Sequence, residues 1–343
     1  MSKKKIGQII GIVVIVAAIV VVAIKVNQEN ESGKITLKNN KISSEPKGPM
    51  PIMLEASKFL TEIDKDKYPE AASPKKPKPF RWDFSGGSIY AYDFYQKMET
   101  VEKMISSENN IQQKMEGTGT LLMKSQGNRT GAMVLQNLKV KIDTSGSGDG
   151  ESKQTTSEMP PVVIEGIKED GSIKQGNMQQ NVLIDSLFPL PTKALDVGES
   201  AEAEKEMPFQ VMGSLINVKV KTTIILTKYV MIDDHICARL ETATDISQLN
   251  IPGELKGTYK IMLKGKSIFY FDTANNSFVS GGIALVISTR IEAPMPKKAP
   301  PGENRPKTEM PEMSRMFMDI DNLIKVKRNP AKIKEAVSTG GSP

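Results

Sequence analysis

The stretch Asp233-Asp234-His235-Ile236-Cys237 gathers the side chains with the most chemistry in this chain. His235 is the one histidine and Cys237 the one cysteine of 343 residues. Two apart on a strand, they share a face, and with the preceding carboxylates they offer a mixed nitrogen, sulfur and oxygen set for a metal, or Cys237 as a nucleophile. A single histidine removes the multi-histidine zinc sites and makes any Ser-His-Asp triad depend on His235. A reactive thiol needs a fixed cation to depress its pKa, and none can be read beside Cys237. The plainer reading is a hairpin turn entering a strand. It assigns no catalytic, cofactor-binding or metal-ligating residue, implies no cofactor, and leaves the ligand-contacting residues unnamed.

Other motifs thin out in the same way. Asp143-Thr144-Ser145-Gly146-Ser147-Gly148 places oxygens at alternating positions and a glycine sixth, as a calcium loop does, but the twelfth position holds Gln154 where a bidentate glutamate is required. The glycines do not join a strand to a helix through a phosphate-binding Lys-Ser/Thr. Met313 and Met316 form a lone Met-x-x-Met without the histidines of a copper carrier. The 19 methionines are read first as adaptable core filler, and second as a soft surface for an apolar ligand or partner. The 46 Lys+Arg against 40 Asp+Glu give a net charge of +6, much of it in KKK, PKKPKPFR and PKKAP, and aromatics make up only 5%. A nucleic-acid surface needs a basic stripe with interleaved aromatics, so that class is set aside.

The elements that would position any site divide into an anchor, a joint and a long β region. Residues 6–24 hold only Gln8 as a polar side chain. As a helix they span roughly 28 Å, against the ~30 Å hydrocarbon core of a bilayer, which favours a retained transmembrane anchor over a cleaved signal. Lys3, Lys4 and Lys5 precede it and only Lys25 comes closely after, so residues 1–5 are expected in the cytoplasm and the main domain in the periplasm or outside the cell. Residues 25–50 read as a polar tether. Over 51–68, Ile52, Ala56, Phe59, Leu60 and Ile63 recur at helical spacing, predicting an amphipathic helix packed on the β region. Residues 69–81 read as a Pro/Lys-rich joint.

From Trp82 to Arg328 the period changes to two. Tyr90, Tyr92 and Phe94 fall on one face, as do Val134, Leu138, Val140 and Ile142, then Ile216, Val218, Val220 and Ile224, then Ile283, Leu285, Ile287 and Ile291. One dry face and one wet face, built from β-branched residues, predicts an antiparallel sheet. Turn-rich segments such as IDDH, KGKS and TANNS separate the runs. GTGTLLMK from Gly117 and GTYKIMLK from Gly257 are alike, and a duplicated meander is one reading of the pair. NMQQNVLIDSLFPLP predicts a short helix ended by Pro189 and Pro191. Met316, Met318, Ile320, Ile324 and Val326 alternate after the proline-rich residues 294–311, predicting a last strand paired with the segment from Gly282 to Ile291. Residues 329–343 read as a flexible tail.

LFPLPTKALDVGES, with a β-rich half after it containing YFDTANNSFVSGG, resembles an uncharacterised family of bacterial extracytoplasmic domains with an FPxLP…VG element before a strand. The layout is also similar to the half-open barrels of envelope lipoprotein carriers. That likeness implies an enclosed apolar ligand, although the chain lacks their lipidated cysteine. The expected fold is mainly β, an antiparallel curved sheet or half barrel. The expected role is that of a membrane-anchored, non-catalytic domain binding an apolar or lipid-like ligand. The alternatives are a structural or partner-binding component of an envelope assembly and, last, an enzyme.

Overall fold

The computed structural model describes Ile63, residues 68–104, 110–146, 153–173, Ile184, and residues 187–211, 214–250, 258–294 and 313–333. The stretch 6–24, the tether, and all of the expected amphipathic helix except Ile63 and Tyr68 lie outside them. No helix among the described residues is long and apolar enough to cross a membrane.

Among the described residues eleven strands make one antiparallel sheet: β1 (Ile89–Met104), β2 (Asn110–Gly127), β3 (Thr130–Gly146), β4 (Lys153–Met159), β5 (Val162–Lys168), β6 (Ser200–Val211), β7 (Ser214–Ile232), β8 (His235–Asn250), β9 (Thr258–Asp272), β10 (Ser277–Pro294) and β11 (Met313–Arg328). Their spatial order is β4-β3-β2-β1-β11-β10-β9-β8-β7-β6, with β5 sharing the outer edge of β3 with β4. The sheet is curved and unclosed. Register shifts at Thr118/Thr120, Phe278/Ser280 and Leu226/Lys228 mark bulges, which bend strands and add local twist.

The pairing of β10 with β11 agrees with the alternation on each strand, with Gly282 opposite Lys325 and Ile291 opposite Met316. The other partner of β11 is β1, with Phe94 opposite Val326. The first and last strands therefore meet mid-sheet, and residues 169–199 carry the chain from one edge to the other. The two halves differ as copies. LLMK lies on the second strand of β1–β5 and KIMLK on the fourth of β6–β11, so a duplicated meander does not describe the architecture.

Alternation assigns the faces except where a bulge intervenes. Tyr92 and Phe94 on β1, Leu138 and Val140 on β3, Val218, Val220 and Ile224 on β7, Ile287 on β10, and Ile320, Ile324 and Val326 on β11 join one core on the inner face. Val134 does not join them. The bulge at Thr118/Thr120 falls beside Asn137, whose φ is 54°, and two residues there oppose one. The inside-outside pattern flips, and Val134 packs on the outer face with Ala91 and Leu122.

The flanking segments are tied down more firmly than a joint and a tail. Ala71 N–H donates to Tyr229 O at 3.0 Å and Met231 N–H to Pro69 O at 2.8 Å, so the expected joint starts as an added rung beside β7. Ile63 sits on the outer face against Gly282, where a Cβ would lie 2.5 Å from its Cγ2. On the inner face the Phe269 ring covers neighbouring Gly281 and fills the place a Cβ would take. Two adjacent glycines thus admit a side chain to each face of β10. After β11 the expected tail begins docked: Asn329 N–H donates to Ala91 O at 2.8 Å, Lys332 Nζ lies 2.6 Å from Asp93 Oδ1, and Ile333 packs on the Ala91 cluster. Backbone and side-chain hydrogen bonds at Asn329 begin a helical turn over Ala331, Lys332 and Ile333.

Candidate functional site: the inner face of the sheet

Near the β9–β10 turn the curve is filled with rings. Phe80, Trp82 and Phe84 enter from the chain before β1, and Leu187, Phe188 and Leu195 from the segment that crosses between edges; all are buried. Phe278 is the hub, with centroids 5.3 Å from Trp82, 5.1 Å from Phe188, 5.6 Å from Phe269 and 5.1 Å from Phe271. Edge-on and tilted ring pairs add about 0.5–1.5 kcal/mol each beyond area burial. Trp82 N–H donates to Glu169 O at 2.7 Å, Asp83 N–H to Asn276 O at 2.9 Å, and Tyr92 Oη–H to Phe278 O at 3.0 Å, fixing the entering segment to both halves. Gly86 and Gly87, at φ 61° and 76°, make the turn from this segment into β1. A short helical turn, closed by Phe188 N–H to Ile184 O at 2.8 Å and stopped at Pro189, presents Leu187 and Phe188 to the rings. The FPLP element is therefore part of this plug.

A polar belt crosses the sheet next. One register row runs Gly117, Gln96, Ile324, Ile283, Ser267, Thr242 and Ile224; the next runs Met115, Met98, Asn322, Leu285, Gly265, Thr244 and Thr222. The belt satisfies itself. Gln96 Nε2 donates to Asn322 Oδ1 at 3.0 Å, the Thr222 and Thr244 hydroxyls lie 3.1 Å apart, and Thr242 pairs with Ser267. Gln96, Asn322, Thr242 and Ser267 are buried and Thr222 and Thr244 half-buried, and their hydrogen-bonding capacity is turned toward one another, as burial requires.

Past the belt the inner face is aliphatic, with Met318 beside it. Ile320, Ile287 and Leu263 lie in sequence across β11, β10 and β9, with Val218 and Val220 also in the core and Met318, Ile261 and Ile246 packed against it. Among described side chains the rings stay on the other side of the belt. Two polar residues of β1 project into this aliphatic region, Thr100 (3% exposed) and Glu102 (6% exposed). The β1 ladders carry no register shift, so both share the face of Phe94 and Met98. Burial raises the Glu102 carboxyl above its ordinary pKa. The Thr100 hydroxyl has no hydrogen-bond partner among the described residues. The sequence reading ends this face at Phe94, yet the same period of two, carried on through Gln96, Met98, Thr100 and Glu102, marks both residues as polar groups at dry positions.

The residues singled out by type take structural places elsewhere. Asp233 and Asp234 have φ of 47° and 63°, forming the two-residue turn between β7 and β8. His235 Nδ1 lies 3.7 Å from Asp272 Oδ2. That fully buried carboxylate already accepts Ala274 N–H at 2.9 Å, Asn275 N–H at 3.0 Å and Asn275 Nδ2 at 2.7 Å, closing the β9–β10 turn, with Arg328 Nη1 at 3.6 Å. Cys237 is buried on the outer face with Ile63, Val230 and Tyr270. Burial, with a smaller push from the charge of Asp272, raises its thiol to about 12. Asp143 accepts Gln154 Nε2 at 2.7 Å across the β3–β4 ladder, a cross-strand pair at the ends of the calcium-like segment. Among the described residues no group of three or more His, Cys, Asp and Glu could hold a metal ion.

No family model matches the chain, and no curated protein matches it. Solved structures similar to it include OccK7 (OpdD) of Pseudomonas aeruginosa at 7% identity and a TM-score of 0.23, covering 70% of this chain and 98% of that one. A DUF1329 family protein of Desulfovibrio piger aligns at 7% identity and a TM-score of 0.14, covering 81% and 93%. The InvG secretin domain β-barrel of the Salmonella SPI-1 injectisome aligns at 10% identity and a TM-score of 0.12, covering 75% and 71%. At these scores the alignments assign neither a fold family nor a function, and the FPxLP…VG element finds no matching family model.

Proposed function

We propose that the chain is a membrane-anchored, extracytoplasmic binding domain whose inner face, beyond the polar belt, takes an apolar, lipid-like ligand. The observation that carries this reading is the asymmetry of the inner face. One end is packed with interlocking rings, whereas the other offers aliphatic walls with Met318 beside them, the adaptable chemistry suited to a chain-like ligand. The apolar segment 6–24 and the lysines before it support an anchor with the domain on the far side of the membrane. Native mass spectrometry of detergent-purified full-length protein is expected to show a co-purifying lipid, released when the domain unfolds. Protein with no adduct that also takes up no added lipid would remove the reading. The anchor is tested separately, since membrane-derived protein should keep its N-terminal residues and resist carbonate extraction.

A second reading, partner binding, is favoured by Val163, which is 48% exposed on edge strand β5, and by the exposed cross-strand pair Met231 and Ile236. Co-purification of a stoichiometric protein in place of lipid would support it. The domain is read as non-catalytic because Cys237 is buried with a raised pKa and the carboxylate beside His235 already serves a turn. His235→Ala and Cys237→Ala are expected to preserve whatever binding the wild type shows. Loss of binding with an unchanged melt in either would restore the site.

A further inference from the structure

The Trp82 indole nitrogen is also buried without a partner, inside the ring plug, and Thr289 of β10 is buried past the belt, but one strand, β1, brings two buried polar residues there together, Thr100 and Glu102. The belt pairs its own members, and the Asp272 cluster serves a turn. These two sit beyond the belt, more than nine-tenths buried, flanked in register by Ile320 and Gln113 at Thr100 and by Met318 and Ile111 at Glu102. They lie about 7 Å apart along one strand, on one face. A buried hydroxyl without a partner costs roughly 1–3 kcal/mol, so an apolar side chain would serve a purely structural wall better.

We propose that Thr100 and Glu102 form the polar end of the apolar site and bind the carbonyl oxygens of a carboxylic ester, the linkage group of an acylglycerol-type lipid. This rests on the apolar-ligand reading and adds the class of ligand. An ester carbonyl accepts hydrogen bonds and carries no charge to desolvate. The Thr100 hydroxyl donates one bond, and the Glu102 carboxyl, whose protonated form burial favours, donates a second. The acyl chains then lie along Met98, Ile320, Ile287 and Leu263. The hydrogen bonds fix which part of the lipid enters, and the walls supply the affinity.

The test uses full-length protein stripped of bound lipid in detergent and titrated with three probes: dioctanoylglycerol, hexadecane and hexadecylamine. The wild type is expected to bind dioctanoylglycerol best. Thr100→Val should weaken that binding about five-fold and Thr100→Ser restore it, with hexadecane unaffected by either. Glu102→Gln, which keeps a donor without a charge, should hold ester affinity within about two-fold, whereas Glu102→Leu should lose about five-fold. Thermal melts of each variant check that the fold is intact. If hexadecane binds as well as the ester and no variant changes the preference, the polar pair is structural and the inference fails while the apolar-ligand reading stands. If hexadecylamine binds best and Glu102→Gln abolishes it, the site takes a cation and the inference also fails. If none of the three binds, the apolar-ligand reading itself falls and takes the inference with it.

Discussion

Phe278 and Ile287 lie on the same strand and in the same core, on opposite sides of the polar belt, and their surroundings differ in kind. Phe278 touches rings from the entering segment, the edge-to-edge crossing and β9, while Ile287 faces Ile320 and Leu263 across neighbouring strands. Interlocked rings have few rotamers and fixed approach angles, so that end has one arrangement. Aliphatic walls repack at small cost. A sheet filled at one end by rigid rings can leave the other end adaptable without loosening as a whole.

The largest effect tests the scaffold common to both ends. A chain stopped after Met310 lacks β11, which lies between β1 and β10. It removes Ile320, Leu323, Ile324 and Val326 from buried positions at about 1.5–3 kcal/mol each, against a total stability of about 5–15 kcal/mol. Its circular dichroism should show no cooperative melt; a melt like that of the full chain would mean that β11 is dispensable. Next comes the contrast itself. Phe278→Ala should cost about 3–5 kcal/mol in denaturant titration and Ile287→Val about 0.5–1.5 kcal/mol, and equal losses would break the comparison.

A smaller effect depends on pH. Burial raises the Glu102 pKa in the folded chain above its unfolded value, so between the two values the folded state holds more protons. The folded state is therefore favoured at low pH, and stability declines as pH rises through the folded value. Glu102→Gln has no proton to lose, so its melting temperature should exceed that of the wild type by a margin that grows as pH rises above the ordinary carboxylate range. A margin constant with pH would show that this carboxyl does not titrate differently on folding. The smallest effect belongs to the stretch between β10 and β11. Pro294 is opposite Met313, so the ends of that connection are already adjacent. Deleting residues 297–307 should shift stability by less than about 1 kcal/mol, since closure cost changes by only ~0.6 kcal/mol per doubling of length.

Much of this architecture is legible in the sequence because a sheet with one dry face writes its period into each strand. Val218, Val220 and Ile224, or Ile320, Ile324 and Val326, need no partner to reveal their side. Period alone misplaces Val134 because a bulge resets the alternation, and only the positive φ at Asn137 shows where. The pairing of β1 with β11 is invisible locally, since either strand would suit other neighbours equally well. The plug is hidden for another reason: Phe80, Trp82 and Phe188 sit in or beside proline-rich stretches without a period, and their burial depends on rings contributed from distant parts of the chain. Thr100 and Glu102 are within reach of sequence, for a polar residue at a dry position of a long alternating run is a readable signal.

The meeting of β1 and β11 has a consequence in time. Roughly 200 residues separate the two strands along the chain, and at about 5–20 residues per second β11 is synthesised some 10–40 s after β1. Until then β1 presents a long open edge, joined only for the last few seconds by that of β10, the kind of surface that pairs with whatever strand is nearest. A chain that met only water in that interval would be at hazard from its own copies. Holding the unfinished protein apart from them, by keeping it extended during export or by a protecting partner, is therefore as much a requirement of this topology as any contact in the finished sheet.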